Sequence, residues 1–309
     1  MRVVFMGTPE FAVPSLRALC AAGHDVAGVV SQPNRPRGRA GKADETPVAA
    51  AARQLGLQLW QPESVNTPDF LAQLQAVGPE VVVVVAFGQI LRKPLLEAPR
   101  LGCVNVHASL LPRYRGGSPV QHALLNGDGE TGVTTMLMDV GLDTGPILLQ
   151  QPVPIYPEDD AGTLLQRLSV VGADLLLRTL AGMADGQLQP TPQNDAEATY
   201  APNLGREDAR IDWTHSAPRI HNRVRAFSPR PGCWSVLKGR EVKVWRAAPA
   251  LCSRRGRPGE VLEVSAKGVL VAAGEGCVWL AEVQEAGRAR MPAGAFARGA
   301  RLVPGDRFE

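Results

Sequence analysis

Residues 80–86 read Glu-Val-Val-Val-Val-Val-Ala, and this short run decides the fold class. A strand that is apolar at every position is covered on both faces, as an inner strand of a parallel sheet is. Similar apolar runs alternate with helical stretches on either side, which is the pattern of a doubly wound, mostly parallel α/β sheet. Strands are expected at residues 2–6, 26–30, 57–60, 80–86 and 103–108.

Two Thr-Pro pairs predict where helices begin between these strands. Thr46-Pro47 and Thr67-Pro68 each place a capping hydroxyl before a proline at the first helical position. Gly56 and Gly78 are expected to end those helices, because glycine readily adopts a left-handed backbone. A longer amphipathic helix is expected over residues 163–184.

The composition is that of a globular chain of 309 residues, with 45% apolar and 20% charged residues. No apolar run reaches the roughly 20 residues that span a bilayer. The five cysteines are widely spaced and include no C-x-x-C pair, so the sequence predicts neither a disulfide framework nor a zinc site. We expect a cytoplasmic, soluble protein with reduced thiols and no metal.

Charge divides the chain near residue 202. Residues 1–202 carry 14 basic and 19 acidic side chains, whereas residues 203–309 carry 19 basic and 11 acidic ones. Between the halves, residues 187–203 are rich in Pro, Gln and Asn, which indicates a linker. Short strands with glycine-bearing turns follow and predict a small antiparallel, OB-like β-barrel. The predicted organisation is a catalytic domain at 1–186, a linker at 187–203 and a second domain at 204–309.

Residues 103–112, with the sequence CVNVHASLLP, hold the first candidate site. On a strand, Asn105 and His107 share one face while Val104 and Val106 share the other. An amide and an imidazole at the carboxyl end of a parallel strand can donate hydrogen bonds to a developing oxyanion. The alternative is that His107 only caps the strand or binds a buried partner.

A second candidate is Asp143, which lies between Gly141 and Gly145 in a tight loop. A carboxylate there can orient a catalytic imidazole and balance its charge. The alternative is that Asp139 and Asp143 are simply turn residues.

The loop over residues 31–42 is basic, with two glycines, two prolines and no acidic residue. Such a loop can bind phosphates, or it is a solvated surface loop. A dinucleotide site is not indicated, since Gly7-Thr8-Pro9-Glu10 does not match G-x-G-x-x-G. The cations of the loop are Arg35, Arg37, Arg39 and Lys42.

Together these segments resemble the methionyl-tRNA formyltransferase family, in order and over nearly the whole chain. The most specific part of the resemblance is the basic N-terminal loop combined with the C-terminal segments. Other formyltetrahydrofolate enzymes share only the Asn-x-His and Asp segments. The matching segments are GTPEF (7–11), QPNRPRGR (32–39), NVHASLLP (105–112), MDVGLDTG (138–145), RIDW (210–213), RAFSP (225–229), VKVW (242–245) and VPGDR (303–307).

The resemblance implies a formyltransferase-like fold and a complete reaction. The family transfers the formyl group of 10-formyltetrahydrofolate to the α-amino group of methionyl initiator tRNA, in the cytoplasm and without a metal. Asn105 and His107 would stabilise the tetrahedral oxyanion, and Asp143 would control the protonation of His107. The expected folate contacts are Ser109, Leu110, Leu111, Pro112, Phe87 and Gly88. The expected tRNA contacts are Arg35, Arg37, Arg39 and Lys42, together with the basic second domain. The protein is expected to be a monomer that does not bind membranes.

The sequence departs from the family pattern in two places. Asp44-Glu45 follow a loop that is more basic in the family, and Phe87 stands where the family commonly has tyrosine.

Three other functions remain open. A glycinamide ribonucleotide formyltransferase would share the catalytic segments without needing residues 203–309. A sugar-nucleotide formyltransferase would keep a second domain without needing the basic loop. A non-enzymatic RNA-binding protein would leave the Asn105, His107 and Asp143 segments unexplained.

Overall fold

The computed structural model describes residues 1–36, 43–252 and 256–309, which separate into two compact units. Two short segments that precede residue 165 belong to the second unit, so the units are not simple halves of the sequence. The domain boundaries expected at residues 186 and 204 stay a prediction. The first unit comprises Met1–Pro119, Glu130–Pro154 and Leu165–Ala201, and the second comprises Val120–Gly129, Ile155–Leu164 and Pro202–Glu309.

A seven-stranded sheet is the main element of the first unit. In chain order the strands are β1 (Arg2–Gly7), β2 (Asp25–Val30), β3 (Arg35–Pro36), β4 (Ala43–Asp44), β5 (Leu59–Trp60), β6 (Val81–Val85), β7 (Cys103–His107), β8 (Glu130–Leu137) and β9 (Ile147–Pro154). The sheet has the order β5-β2-β1-β6-β7-β8-β9, while β3 and β4 pair separately with each other. The first five strands in that order run parallel, and β8 and β9 are antiparallel.

Helices α2 and α3 begin at the two prolines that the sequence predicts, and α6 begins two residues before its expected start. In chain order they are α1 (Val13–Ala21), α2 (Pro47–Gln54), α3 (Pro68–Val77), α4 (Lys93–Leu96), α5 (Pro119–Asn126) and α6 (Ala161–Ala184). The Thr46 and Thr67 hydroxyls accept hydrogen bonds from the third residue beyond each, at 3.2 and 3.3 Å. Gly78 ends α3 with a φ of +61°, the left-handed cap that was expected.

Helices cover both faces of the sheet at β6 and β7. Val82, Val84 and Cys103 share one face and pack with Phe70 of α3 in a buried cluster. Val106 points to the other face, where Gly172 of α6 packs so closely that a β-carbon would lie 3.0 Å from the valine. The doubly wound, mostly parallel fold class is therefore confirmed.

Strands β8 and β9 were not predicted from the sequence. Six consecutive residues of β8, Thr131–Met136, are buried, so the strand is covered on both faces and shows no polar–apolar alternation. The sequence of β9 contains two prolines and two glutamines, which obscure its strand pattern. The loop between these two strands carries Asp143.

The second unit contains an antiparallel sheet, as predicted. Its remaining elements are α7 (Ala217–Ala226), β10 (Cys233–Leu237), β11 (Arg240–Ala250), β12 (Val261–Ser265), β13 (Gly268–Ala272), β14 (Cys277–Glu285), β15 (Met291–Pro292) and α8 (Ala293–Gly299). The strand order is β10-β11-β14-β13-β12, with β15 on β14. Phe308 pairs with Leu237 at the end of β10, and Arg307 pairs with Glu260 beside β12. The C-terminal segment thus joins the two end strands, as closure into a small barrel requires.

The expectation of five reduced cysteines is wrong for one pair. Cys252 and Cys277 form a disulfide with a Cα–Cα distance of 5.9 Å, and both pack in a small apolar cluster of the second unit. The two residues are 25 positions apart, so their proximity depends on strand pairing that cysteine spacing does not reveal. The other three thiols are free.

Candidate active site

Strand β7 holds the two polar side chains that the sequence places on one face. Asn105 and His107 are 9% and 6% exposed, and Asn105 lies beside Val84 of β6 in the parallel register. His107 is the last residue of the strand. The pair therefore lies at the carboxyl end of an inner strand, where open α/β sheets bind their ligands.

Asp143 completes a group that we call the Asp143 site, defined as Asn105, His107 and Asp143. The Asp143 carboxylate lies 3.4 Å from the Asn105 amide nitrogen and 3.7 Å from His107 Nδ1. Its Oδ2 also accepts a 2.8 Å hydrogen bond from the backbone N–H of Gly116. The structure thus brings the three predicted side chains together.

The hydrogen bonds of His107 define which ring nitrogen is chemically active. His107 Nε2 lies 2.9 Å from the carbonyl oxygen of Tyr114, and a carbonyl can only accept. Nε2 therefore carries a proton, and Nδ1 is the nitrogen that faces the Asp143 carboxylate. An imidazole and a carboxylate placed in this way can act together on a proton during group transfer.

The segment Ser109–Pro112, a candidate folate contact, is held by hydrogen bonds from β8 and β9. Thr134 Oγ1 donates to the Ser109 carbonyl at 2.7 Å and accepts from the Leu111 N–H at 3.1 Å. Gln150 donates to the Leu111 carbonyl at 2.8 Å. The segment begins two residues after His107, so these two strands fix its path beside the Asp143 site.

Phe87 and Gly88 follow β6, the strand next to β7. The Phe87 ring is 2% exposed and belongs to the buried cluster, whereas its carbonyl oxygen accepts from Thr8 Oγ1 at 2.8 Å and from Gln32 Nε2 at 3.3 Å. The hydroxyl that a tyrosine would add at residue 87 would therefore belong to a ring that packs in this cluster. Gly88 has a φ of +88°, which explains the glycine at this bend.

Of the four predicted cations in the basic loop, only Arg35 lies within the described residues. It is exposed and its backbone pairs with Asp44 in the β3–β4 hairpin. Glu45, which follows, forms a 3.0 Å ion pair with Arg53, so its charge is partly balanced within α2. Arg37, Arg39 and Lys42 lie outside the described residues.

The second unit presents cations over tryptophan rings on its sheet. Trp234 and Lys243 lie opposite each other on β10 and β11 and so share a face. Two guanidinium groups lie 5.4 Å from the Trp234 ring, and the Trp245 ring is contacted by Lys243 at 5.5 Å and Arg290 at 3.5 Å. We call this surface the basic–aromatic face; its members are Arg206, Arg210, Trp234, Lys243, Trp245 and Arg290.

Two backbone groups of the Asp143 site were missed from the sequence. The Gly116 N–H binds Asp143, and the Tyr114 carbonyl binds His107. Backbone groups leave no side-chain signal, and only the positive φ of Gly116, +120°, is reflected in its residue type.

The described parts of the chain contain no group of three or more His, Cys, Asp or Glu residues placed to hold a metal. Within the same residues, no helix is both long and apolar enough to cross a membrane.

Two family models match the chain and define its class. The formyl transferase model matches residues 1–180, and the model of the formyl transferase C-terminal domain matches residues 203–301. The chain is therefore a formyl transferase.

Curated relatives narrow this class. A methionyl-tRNA formyltransferase of Solibacter usitatus is 47% identical over 100% of this chain and 98% of its own length. One of Citrifermentans bemidjiense is 48% identical over 99% of this chain and 95% of its own. The chain belongs to the methionyl-tRNA formyltransferase family.

Solved structures agree with the fold. A methionyl-tRNA formyltransferase from Clostridium thermocellum superposes with a TM-score of 0.57 at 16% identity, covering 81% of this chain and 94% of that one. HypX from Aquifex aeolicus, solved with tetrahydrofolic acid, gives a TM-score of 0.66 at 19% identity and covers 96% of this chain and 47% of that one.

Proposed function

We propose that the Asp143 site transfers the formyl group of 10-formyltetrahydrofolate to the α-amino group of methionyl initiator tRNA. The observation that carries this proposal is the convergence of an amide, an imidazole and a carboxylate at the carboxyl end of β7. Family membership supplies the donor and the acceptor, and the site supplies groups that suit acyl transfer to an amine.

The three residues of the site have different roles in this transfer. Asn105 donates a hydrogen bond from its amide to the oxyanion that develops when the amine attacks the formyl carbon. His107 donates one from Nδ1–H, because its Nε2–H is already bonded to the Tyr114 carbonyl. Asp143, facing His107 Nδ1 at 3.7 Å, orients the ring and assists removal of the proton that the attacking amine must lose. The bond from the formyl carbon to the folate nitrogen then breaks, and the departing nitrogen takes up that proton. A separation of 3.7 Å without substrate is consistent with a hydrogen bond that tightens during reaction.

The surroundings of the site fit a folate donor. The segment Ser109–Pro112 begins two residues after His107, and the Phe87-Gly88 bend follows the neighbouring strand. Val140 and Leu142, in the same loop as Asp143, are 75% and 60% exposed and offer apolar surface beside the polar groups. Ligand sites commonly combine a mostly apolar lining with a few directed polar groups.

We propose that tRNA binds through charge, at the loop cations Arg35, Arg37, Arg39 and Lys42 and at the basic second domain. Cations neutralise phosphates, and aromatic rings beneath them hold the charged groups in place. The division of labour is then a catalytic domain at 1–186, a linker at 187–203 and a tRNA-binding domain at 204–309. We propose that the protein acts on these substrates in the cytoplasm as a monomer.

A parallel assay of three acceptors tests the function. Purified protein and 10-formyltetrahydrofolate are incubated with methionyl initiator tRNA, glycinamide ribonucleotide or an amino-sugar nucleotide, and formylated product is quantified. We expect rapid product formation with the tRNA alone. Formylation of either small molecule at a higher kcat/KM than that of the tRNA would overturn the proposal.

A further inference from the structure

Arg115 is an almost fully buried cation whose partners lie far along the chain. Its side chain is 2% exposed, and its guanidinium donates to Gln193 Oε1 from Nε at 3.0 Å and from Nη2 at 2.9 Å. Nη2 also lies 2.8 Å from the carboxylate of Asp195. A buried guanidinium requires such acceptors, so Arg115 fixes the position of the Gln193 side chain.

The Gln193 amide connects this cation to the catalytic loop. Its nitrogen donates to the carbonyl oxygen of Asp143 at 2.8 Å and to that of Gly145 at 2.7 Å. The orientation of the amide is unambiguous, because a guanidinium only donates and backbone carbonyls only accept. Gln193 therefore bridges Arg115 to two carbonyls of the loop that carries Asp143.

The loop needs such support because its backbone is constrained at both bridged residues. Asp143 has a φ of +53°, a conformation that non-glycine residues seldom adopt. Gly145 packs against the chain so tightly that a β-carbon would lie 1.8 Å from the Leu137 carbonyl oxygen. A loop in this state persists only when its surroundings hold it.

A second set of bonds places Arg115 itself. Its backbone N–H donates to the Thr199 carbonyl at 2.8 Å, and its carbonyl accepts from the Ala201 N–H at 2.7 Å. The next residue, Gly116, donates to the Asp143 carboxylate. One short stretch of chain thus holds Asp143 at two points: Gly116 binds the carboxylate directly, and Arg115 holds the backbone through Gln193.

We propose that Gln193 is a positioning residue for the transfer, which holds the Asp143 backbone so that the carboxylate faces His107 and Asn105. This inference rests on the proposed function of the Asp143 site. Gln193 lies in the segment that the sequence suggests is a linker, so this segment would take part in building the active site.

Gln193→Glu separates positioning from folding. The glutamate keeps the length of the side chain and an acceptor for Arg115, but it cannot donate to the two loop carbonyls. We expect kcat for formylation to fall about 10- to 100-fold, since small misplacements of catalytic groups have effects of this size. KM for both substrates should change little, and the variant should stay folded with a thermal midpoint lowered by the loss of the two hydrogen bonds. Gln189→Glu, an exposed position in the same segment, is the matched control and should leave kcat unchanged.

A double-mutant cycle with Asp143→Asn provides the decisive readout. If Gln193 acts through Asp143, adding Gln193→Glu to Asp143→Asn should lower the single-turnover rate less than twofold further. An undiminished 10- to 100-fold further loss, or a wild-type kcat for Gln193→Glu, would overturn the inference. If Gln193→Glu does not fold, the same cycle is run with Gln193→Ala and judged by the same outcomes. An inactive wild-type protein would instead overturn the proposed function.

Discussion

The Asp143 site and the basic–aromatic face differ in how their polar groups are held. In the Asp143 site, all three side chains are largely buried, and each has a directed partner within 4 Å. On the basic–aromatic face, Arg206, Arg210 and Arg290 are exposed and lie over indole rings. Buried, fixed dipoles favour one geometry, whereas exposed cations favour any nearby phosphate.

This difference predicts at which residues a single substitution should affect the chemical step and at which it should affect binding. A group that is pre-oriented for one charge distribution cannot be replaced by its neighbours, so its loss appears in the chemical step. Exposed cations act additively and are weakened by salt, so the loss of one should appear in binding and be partly compensated.

Asp143→Asn should have the largest effect. The amide keeps the size of the carboxylate but holds no negative charge beside His107, and kcat should fall about 10³-fold or more. The measurement is steady-state formylation of methionyl-tRNA, with circular dichroism to establish that the variant is folded. A folded Asp143→Asn variant with near-wild-type kcat would remove the carboxylate from the mechanism.

His107→Ala should follow, with kcat reduced about 10²- to 10³-fold and tRNA affinity preserved. The imidazole is both an oxyanion donor and the partner of Asp143, so its loss acts on the reaction and not on the RNA. His24→Ala is the matched control, because His24 precedes β2 at the amino ends of the parallel strands. Equal losses in the two variants would indicate a general effect on folding.

Arg290→Ala should have a modest effect on binding alone. The guanidinium lies 3.5 Å from the centre of the Trp245 ring and is exposed, so it is available to a phosphate. We expect tRNA affinity to fall about three- to tenfold. The slope of log affinity against log salt concentration should decrease by about the value of one phosphate contact. Arg100→Ala, an exposed cation paired with Glu80 in the first unit, is the control. An unchanged salt slope for Arg290→Ala would exclude this cation from the RNA surface.

The sequence predicts the frame of the first unit better than its site. The valine run and the Thr-Pro caps are local signals, and they locate β6, α2 and α3 correctly. Period-two alternation also places Asn105 and His107 on one face. Gln193 carries no comparable signal, because its partners are two backbone carbonyls and a cation some 78 residues away.

Reduction of the Cys252–Cys277 disulfide should have the smallest effect on activity. The bond closes a loop with a sequence separation of 25, for which the chain-entropy model gives about 3.5 kcal/mol of stability. Cys252→Ser should therefore lower the denaturation midpoint while kcat stays unchanged. Identical midpoints for oxidised and reduced protein would contradict the predicted stabilisation.

Burial raises the pKa of the Cys103 and Cys233 thiols to about 12, so alkylation at pH 8 should spare both.

Single-turnover formylation by Asn105→Ala tests the central claim most directly, because the claimed role of Asn105 is to bind charge that exists only during the reaction. With enzyme in excess and both substrates saturating, rapid quench isolates the chemical step, and equilibrium titrations give the Kd for tRNA and for folate. We predict a chemical step about 10²- to 10³-fold slower than wild type with both Kd values within twofold. A chemical step within tenfold of wild type, or a loss confined to Kd, would contradict the assignment of the Asp143 site as the centre of formyl transfer.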